Sequence, residues 1–196
     1  MDDMYSLLTA PKMSSNMKWG AGIILQDPET KRILLAKRVD NGRYGCPGGT
    51  VEYNEKPIDA ILRETLEESN IKVNSMSYYD SINHNSPNGE WTSFLFYSDD
   101  FDASDVINQQ NEMNEWGWYD TDAINNLSID NKLFEPCGMA LEIAKEKGIL
   151  TGNSYPNIPF VECPSSGFAV KDSCSCAYSY QEPEKVFVNN AGLYWD

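Results

Sequence analysis

Residues 48–71 read GGTVEYNEKPIDAILRETLEESNI. Within this stretch Ile58, Ile61, Leu62, Thr65 and Leu66 fall at i, i+3, i+4, i+7 and i+8, the spacing of one face of an amphipathic helix. Pro57 suits the first turn of that helix, and Asn70 suits its end because asparagine tolerates the left-handed backbone. Turned at about 100° per residue, Glu64, Glu67 and Glu68 share one flank away from the apolar stripe. Like charges at i+3 and i+4 cost about 0.2–0.5 kcal/mol per pair, and the negative end of the helix adds about 0.3–1 kcal/mol per charge.

A solvated acidic face tolerates that cost, so helical spacing alone leaves two readings: plain surface, or a cradle for a cation. The setting favours the cradle. The turn Pro47–Gly48–Gly49 lies just upstream, and its carbonyl oxygens can face the same flank as the carboxylates. A cluster of oxygen ligands suits Mg²⁺ or Mn²⁺, whose charge reverses the repulsion.

The spacing carries a family resemblance. Gly49, Glu55, Arg63, Glu64, Thr65, Glu67, Glu68, Asn70 and Ile71 follow the pattern G-x5-E-x7-R-E-U-x-E-E-x-G-U, with U aliphatic, and so resemble the box of the Nudix hydrolases. Every charged position matches. Thr65 stands where an aliphatic residue is usual and Asn70 where glycine is usual; Thr65 faces the core stripe, and asparagine is the best substitute for glycine at positive φ. The strand-like WGAGIIL and LLAKR upstream and EWGWYDTDAI downstream extend the likeness over about residues 17–150. The resemblance implies a Nudix-like α/β/α sandwich with a mixed β-sheet.

It also implies metal-dependent attack of water on a pyrophosphate, in a nucleoside diphosphate linked to another moiety. Carried over by position, Glu64, Glu67, Glu68 and the Gly49 carbonyl (or that of Gly48) are metal ligands, with Mg²⁺ or Mn²⁺ as cofactor. Arg63 holds the loop by pairing with Glu55; Asp59 and Glu67, four residues to either side, are its alternatives. Family members differ in the general base, which is a box glutamate in some and a distant one in others. The distant residues here are Glu112 and Glu115, in QQNEMNEWGW, with Glu115 expected in the catalytic set beside Glu64, Glu67 and Arg63. Lys37, Arg38 and Arg43 lead into the box and either reach the substrate phosphates or solvate a strand end.

Composition limits the partners. Thirty acidic against fifteen basic side chains give a formal charge of -15, which repels phosphate backbones and argues against indiscriminate binding to nucleic acid or to anionic membrane. No apolar run approaches the length of a membrane span. The start, MDDMYSLLTAPK, carries acids where a secretory signal carries bases, so a cytoplasmic protein is expected. Cys46, Cys137, Cys163, Cys174 and Cys176 are odd in number and do not form a small-scaffold disulfide framework, which makes reduced thiols the default.

The chain divides into a leader over 1–16, the Nudix-like domain over 17–150 and an extension over 151–196 rich in proline. Cys163, Cys174 and Cys176 in that extension lack the usual pair of C-x2-C knuckles for zinc. Its last segment, KVFVNNAGLYWD, has the apolar surface to dock as a strand on the domain or on a partner, compatible with a homodimer. Within the domain, MKWGAGIIL and ILLAKR flank the turn-rich QDPETKR and read as a hairpin. Trp19, Tyr44, Trp91, Trp116 and Trp118 are base-stacking or packing residues, and His84, beside a turn, reads as exposed or packed. Pro87 falls where a subgroup acting on ADP-ribose carries a proline, although SPNG is itself good turn chemistry. The expected substrate is therefore ADP-ribose-like. The alternatives are a nucleoside triphosphate, an RNA 5′ end, or a domain that senses a nucleotide without cleaving it.

Overall fold

The computed structural model describes residues 18–86, 89–103 and 112–150, together with the backbone of four short strands at 161–163, 167–169, 186–189 and 192–194. The leader, Pro87, Cys174 and Cys176 lie outside the described residues.

Strand β1 (Lys18–Leu25) is central, running parallel to β6 (Gly89–Asp102) on one side and antiparallel to β4 (Gly48–Thr50) on the other. With β5 (Lys72–Ser86) antiparallel to β6, they form a mixed sheet extended by β10 (Val186–Asn189) and β11 (Gly192–Tyr194). The terminal segment thus joins the sheet by pairing with β5 at Val186↔Met76 and Phe187↔Ser75. A second sheet has β2 (Ile33–Arg38) between β3 (Tyr44–Gly45) and β7 (Met113–Tyr119). The remaining strands, β8 (Val161–Cys163) and β9 (Gly167–Ala169), pair with each other.

One expectation is corrected. β1 and β2 do not form a hairpin ladder; their pairing is limited to one isolated bridge just past β1, Gln26↔Ile33. Both hydrogen-bonding edges of β1 are taken by β4 and β6, so β2 passes into the other sheet.

Side chains alternate on β1 and β6, and the two faces feed two cores. Ala21, Ile23, Leu25, Phe94 and Phe96 meet Ile58, Ala60 and Ile61 of helix α1 (Pro57–Ser69). Ile24, Leu95 and Tyr97 on the opposite face meet Cys137, Ala140, Leu141 and Ala144 of helix α3 (Glu135–Glu146). The short helix α2 (Thr121–Ile129) begins after β7, capped by Asp120, which accepts from the Ala123 amide at 2.9 Å. A mixed sheet between helices is the layered arrangement that the pattern implied. Among the described residues no helix is long and apolar enough to cross a membrane.

The box helix α1 has no side-chain cap at its start and relies on Pro57. It ends on Asn70 at φ 58°, whose amide returns to the Leu66 carbonyl. Thr65 is fully buried and donates its hydroxyl to the Ile61 carbonyl at 2.6 Å, so the departure from an aliphatic residue leaves no unpaired donor. Ile61 is wholly enclosed between α1 and the sheet. Ile61→Ala is expected to cost about 2–5 kcal/mol through lost contacts and a cavity, read as a lower urea midpoint at unchanged slope.

Candidate active site

The glycine turn and the box helix meet closely enough that side chains at the turn would collide. A Cβ on Gly49 would strike the Glu64 carboxylate, and one on Gly48, at φ 157°, would strike the Ala21 carbonyl. This is where the chain needs glycine. The Gly48 amide donates to Glu68 Oε2 at 3.0 Å, tying turn to helix.

Arg63 organises the other carboxylates. It grips Glu55 with two bonds of 2.9 Å, donates to the Thr50 carbonyl at 3.1 Å, and meets Glu64 at 2.9 Å and Glu67 at 3.2 Å. The guanidinium holds the Glu55 carboxyl below its usual pKa, and Glu55 in turn raises that of Arg63. Glu64 is raised, first by burial and then by Glu67 and Glu112, with Arg63 opposing. Glu68 is pushed up to about 8 by burial, with Glu64 and Glu112 adding to the rise while the Gly48 amide opposes it.

These groups line one side of an open cleft of about 860 Å³. Gly48, Gly49, Glu64, Glu67, Glu68 and Arg63 all face it, whereas Glu55 stands behind Arg63. Glu112 faces it too, because its carbonyl accepts from the Val39 amide at 2.9 Å and so fixes the entry into β7 beside the cluster. Glu115 is not in the cleft. It sits at φ 50° within a bulge of β7, where Glu115 and Trp116 together face Ala36 of β2, and its carboxylate meets Lys37 at 3.2 Å. Of the three basic residues leading into the box, Arg38 lines the cleft, and Lys37 and Arg43 do not. Arg38 is clasped by Asp40 through two bonds of 3.0 Å, with its guanidinium 4.4 Å from the Phe134 ring centroid.

Of the aromatic residues singled out above, Trp91 lines the cleft. Trp19 packs on Phe94 (5.1 Å between centroids), Trp118 on Phe101 (5.9 Å) and Tyr44 on Tyr119 (5.5 Å), while Trp116 packs against the α1-side core. His84 also lines the cleft, as do Cys46 and Cys137, whose sulfurs lie 3.1 Å apart as free thiols. Cys46 is pushed well above its usual pKa by its bond to Cys137 and by burial, so it stays protonated. No local pattern links these cysteines, 91 residues apart in sequence. A signal for the cleft floor was present: Gly20 and Gly22 interrupt an otherwise apolar strand at alternate positions, where glycine marks close approach.

The residues fit a divalent cation. Glu68 is a largely buried carboxylate crowded by like charge, and the guanidinium at Arg63 already draws Glu64 and Glu67 as a cation would. Among the described residues no three acidic, histidine or cysteine groups converge as a ready ligand set, since Arg63 holds two of the carboxylates.

Fold, box and acidic cleft define a Nudix-type domain, and a family model for the NUDIX domain matches residues 17–136. The chain belongs to that family. It is 34% identical over 99 residues to the NAD-capped RNA hydrolase NudC of Shigella dysenteriae serotype 1 (strain Sd197), a match covering 50% of this chain and 37% of that protein. It is 28% identical over 141 residues to the RNA pyrophosphohydrolase of Pelagibacter ubique (strain HTCC1062), covering 62% of this chain and 88% of that one. The crystal structure of a MutT NUDIX hydrolase from Burkholderia pseudomallei superposes with a TM-score of 0.56 at 24% identity, over 65% of this chain and 98% of that one. The likeness to that structure is one of fold. The chain spans little more than a third of the length of the NudC protein.

Glu68 gives the metal-free protein a pH signature. Its folded pKa of about 8 exceeds the ordinary 4.5, so between these values the folded state holds a proton that the unfolded state has released. Stability from this group is present at low pH and is lost as pH rises towards 8. In chelator, the thermal midpoint of the wild type should fall more steeply over that window than that of Glu68→Gln; parallel profiles would contradict the assignment.

Proposed function

We propose that the domain hydrolyses a phosphoanhydride bond in a nucleoside diphosphate linked to a further group, with Mg²⁺ or Mn²⁺ as cofactor. The carrying observation is Glu68, a buried carboxylate held on the Gly48 amide and surrounded by other acids, at the wall of the cleft. Such a group holds its proton at neutral pH unless a nearby cation favours the ionised form. Glu64, Glu67 and Glu68 would hold the metal, with the Gly49 carbonyl, once Glu64 and Glu67 are released from Arg63. A bound divalent ion neutralises the diphosphate oxygens and lowers the pKa of the attacking water.

The chain supplies the remaining parts. Glu112, beside Glu64 and Glu68, accepts the proton from the attacking water; Glu115, engaged by Lys37 outside the cleft, is not assigned this role. Arg38 faces the same cleft with its guanidinium oriented by Asp40 and Phe134, which suits a phosphate oxygen. Arg63 is a positioning residue that joins Glu55, the Thr50 carbonyl and the box carboxylates. NAD and ADP-ribose are the compounds to test first: NAD joins two nucleotides through such a bond, and ADP-ribose is the derivative favoured by the position of Pro87.

A second reading, removal of pyrophosphate from an RNA 5′ end, draws on the relative from Pelagibacter, most of whose length the chain matches. Here the formal charge of -15 limits long contacts with the RNA backbone, so recognition would be confined to the terminal nucleotides.

The test is product analysis on NAD, ADP-ribose, a nucleoside triphosphate and 5′-triphosphorylated RNA, with and without Mg²⁺. Magnesium-dependent turnover is expected. Glu112→Gln should lower kcat by about 10²–10⁴-fold while retaining the Mg²⁺-induced rise in thermal midpoint. Glu68→Gln should lose both turnover and that rise. Turnover independent of divalent ions, or untouched by Glu68→Gln, would defeat the reading.

A further inference from the structure

We propose that the His84–Trp91 pair, near the turn of the β5–β6 hairpin, is the seat for the planar base of the nucleotide substrate. The proposal rests on the reading above for the direction in which the substrate lies.

Strand register places the pair. Lys18, Trp91 and His84 form one cross-strand row, and Gly20, Ser93 and Ile82 form the next on the same face of the sheet. Gly20 connects this region to the phosphate end of the cleft. A Cβ there would lie 2.9 Å from Ser93 Oγ, 3.4 Å from the Gly49 carbonyl oxygen and 3.7 Å from the Trp91 ring. Glycine at this point therefore keeps an open floor running from the Gly49 carbonyl to the indole. From β4 to β5 is three strand spacings, about 14 Å. That span suits a nucleoside diphosphate laid across the strands with its base at the far end.

The two rings are held in place by polar contacts outside their faces. Trp91 Nε1 donates to Ser86 Oγ at 2.9 Å, and His84 Nε2 lies 2.9 Å from Ser93 Oγ. Their planes are nearly parallel, at 11°, with centroids 6.4 Å apart. Because the indole N–H is already bonded, Trp91 offers the cleft its π surface, which stacks on any nucleobase. The Lys18 ammonium lies over the same ring, 5.5 Å from the indole centroid, and places a cation at the edge of the seat. Among the described residues His84 Nδ1 has no hydrogen-bond partner, leaving one polar atom of the pair for a base edge. Burial lowers the pKa of His84, keeping the imidazole neutral at physiological pH.

Cross-strand aromatic pairs also stabilise hairpins without binding anything. Two observations distinguish this one. Both rings line the cleft, and neither packs into either apolar core.

The experiment measures binding of AMP and of ribose 5-phosphate, which lacks the base, to the full chain by calorimetry in Mg²⁺. The wild type should bind AMP about 5- to 160-fold more tightly than ribose 5-phosphate, the range of one base–aromatic stack. Trp91→Leu and His84→Ala should each narrow that gap, and Trp91→Phe should keep most of it. Where Trp91→Leu is misfolded by circular dichroism, His84→Ala decides. Equal affinity for the two ligands in the wild type, or a gap unchanged in the folded variants, overturns the proposal. If the gap is present and closes in the variants but no nucleotide is hydrolysed, the seat stands and the hydrolytic reading falls; if hydrolysis proceeds and the gap does not respond, the seat alone falls.

Discussion

The close contact between the Gly48–Gly49 turn and the flank of α1 is the constraint on which the site depends. Only a residue without a Cβ lets the turn reach the Glu64 carboxylate, and only that approach lets the Gly48 amide bind Glu68. The same contact sets β4 against β1, so the sheet edge and the acidic helix are located by one feature. Arg63 supplies the opposing charge that keeps three carboxylates near one another, through Glu55, Glu64 and Glu67 together. Its pairing leaves Glu68 as the acid without guanidinium contact, which is why burial moves that group furthest of the cluster.

Charge distribution follows the same logic at larger scale. An acidic chain has little to attract a phosphorylated ligand except where cations are fixed in place. Arg63 is occupied by acids, and Lys37 is drawn off to Glu115. Arg38 is thus the guanidinium in the cleft lining, besides Arg63, that can meet a phosphate, steadied on Phe134 and Asp40.

Much of this was legible in the sequence because helical spacing is local. Ile58, Ile61 and Thr65 define the buried face of α1, and the glutamates on its flank follow from geometry alone. What was not legible depends on register between strands distant in sequence. Glu112 and Glu115 are three residues apart in one loop and strand, and no pattern tells which faces the cluster. The Val39–Glu112 backbone bond and the bulge of β7 that contains Glu115 decide it. The β1–β2 hairpin failed for a related reason: turn chemistry reports that the chain reverses, not which neighbours compete for each strand's edges. Cys46 against Cys137 and His84 against Trp91 are likewise products of topology.

The addition of β10 to β5 carries a consequence for assembly. An uncovered β5 would present a long row of amides and carbonyls to any extended peptide, a standing invitation to fibrous or head-to-tail association. By laying its own terminal segment there, the chain consumes part of that template internally and shifts the outermost rim to β11, a strand of only three residues. Where it pairs, at Ser75 and Met76, the extension occupies backbone groups of β5 that a foreign strand would otherwise use, a local guard on that stretch of the sheet.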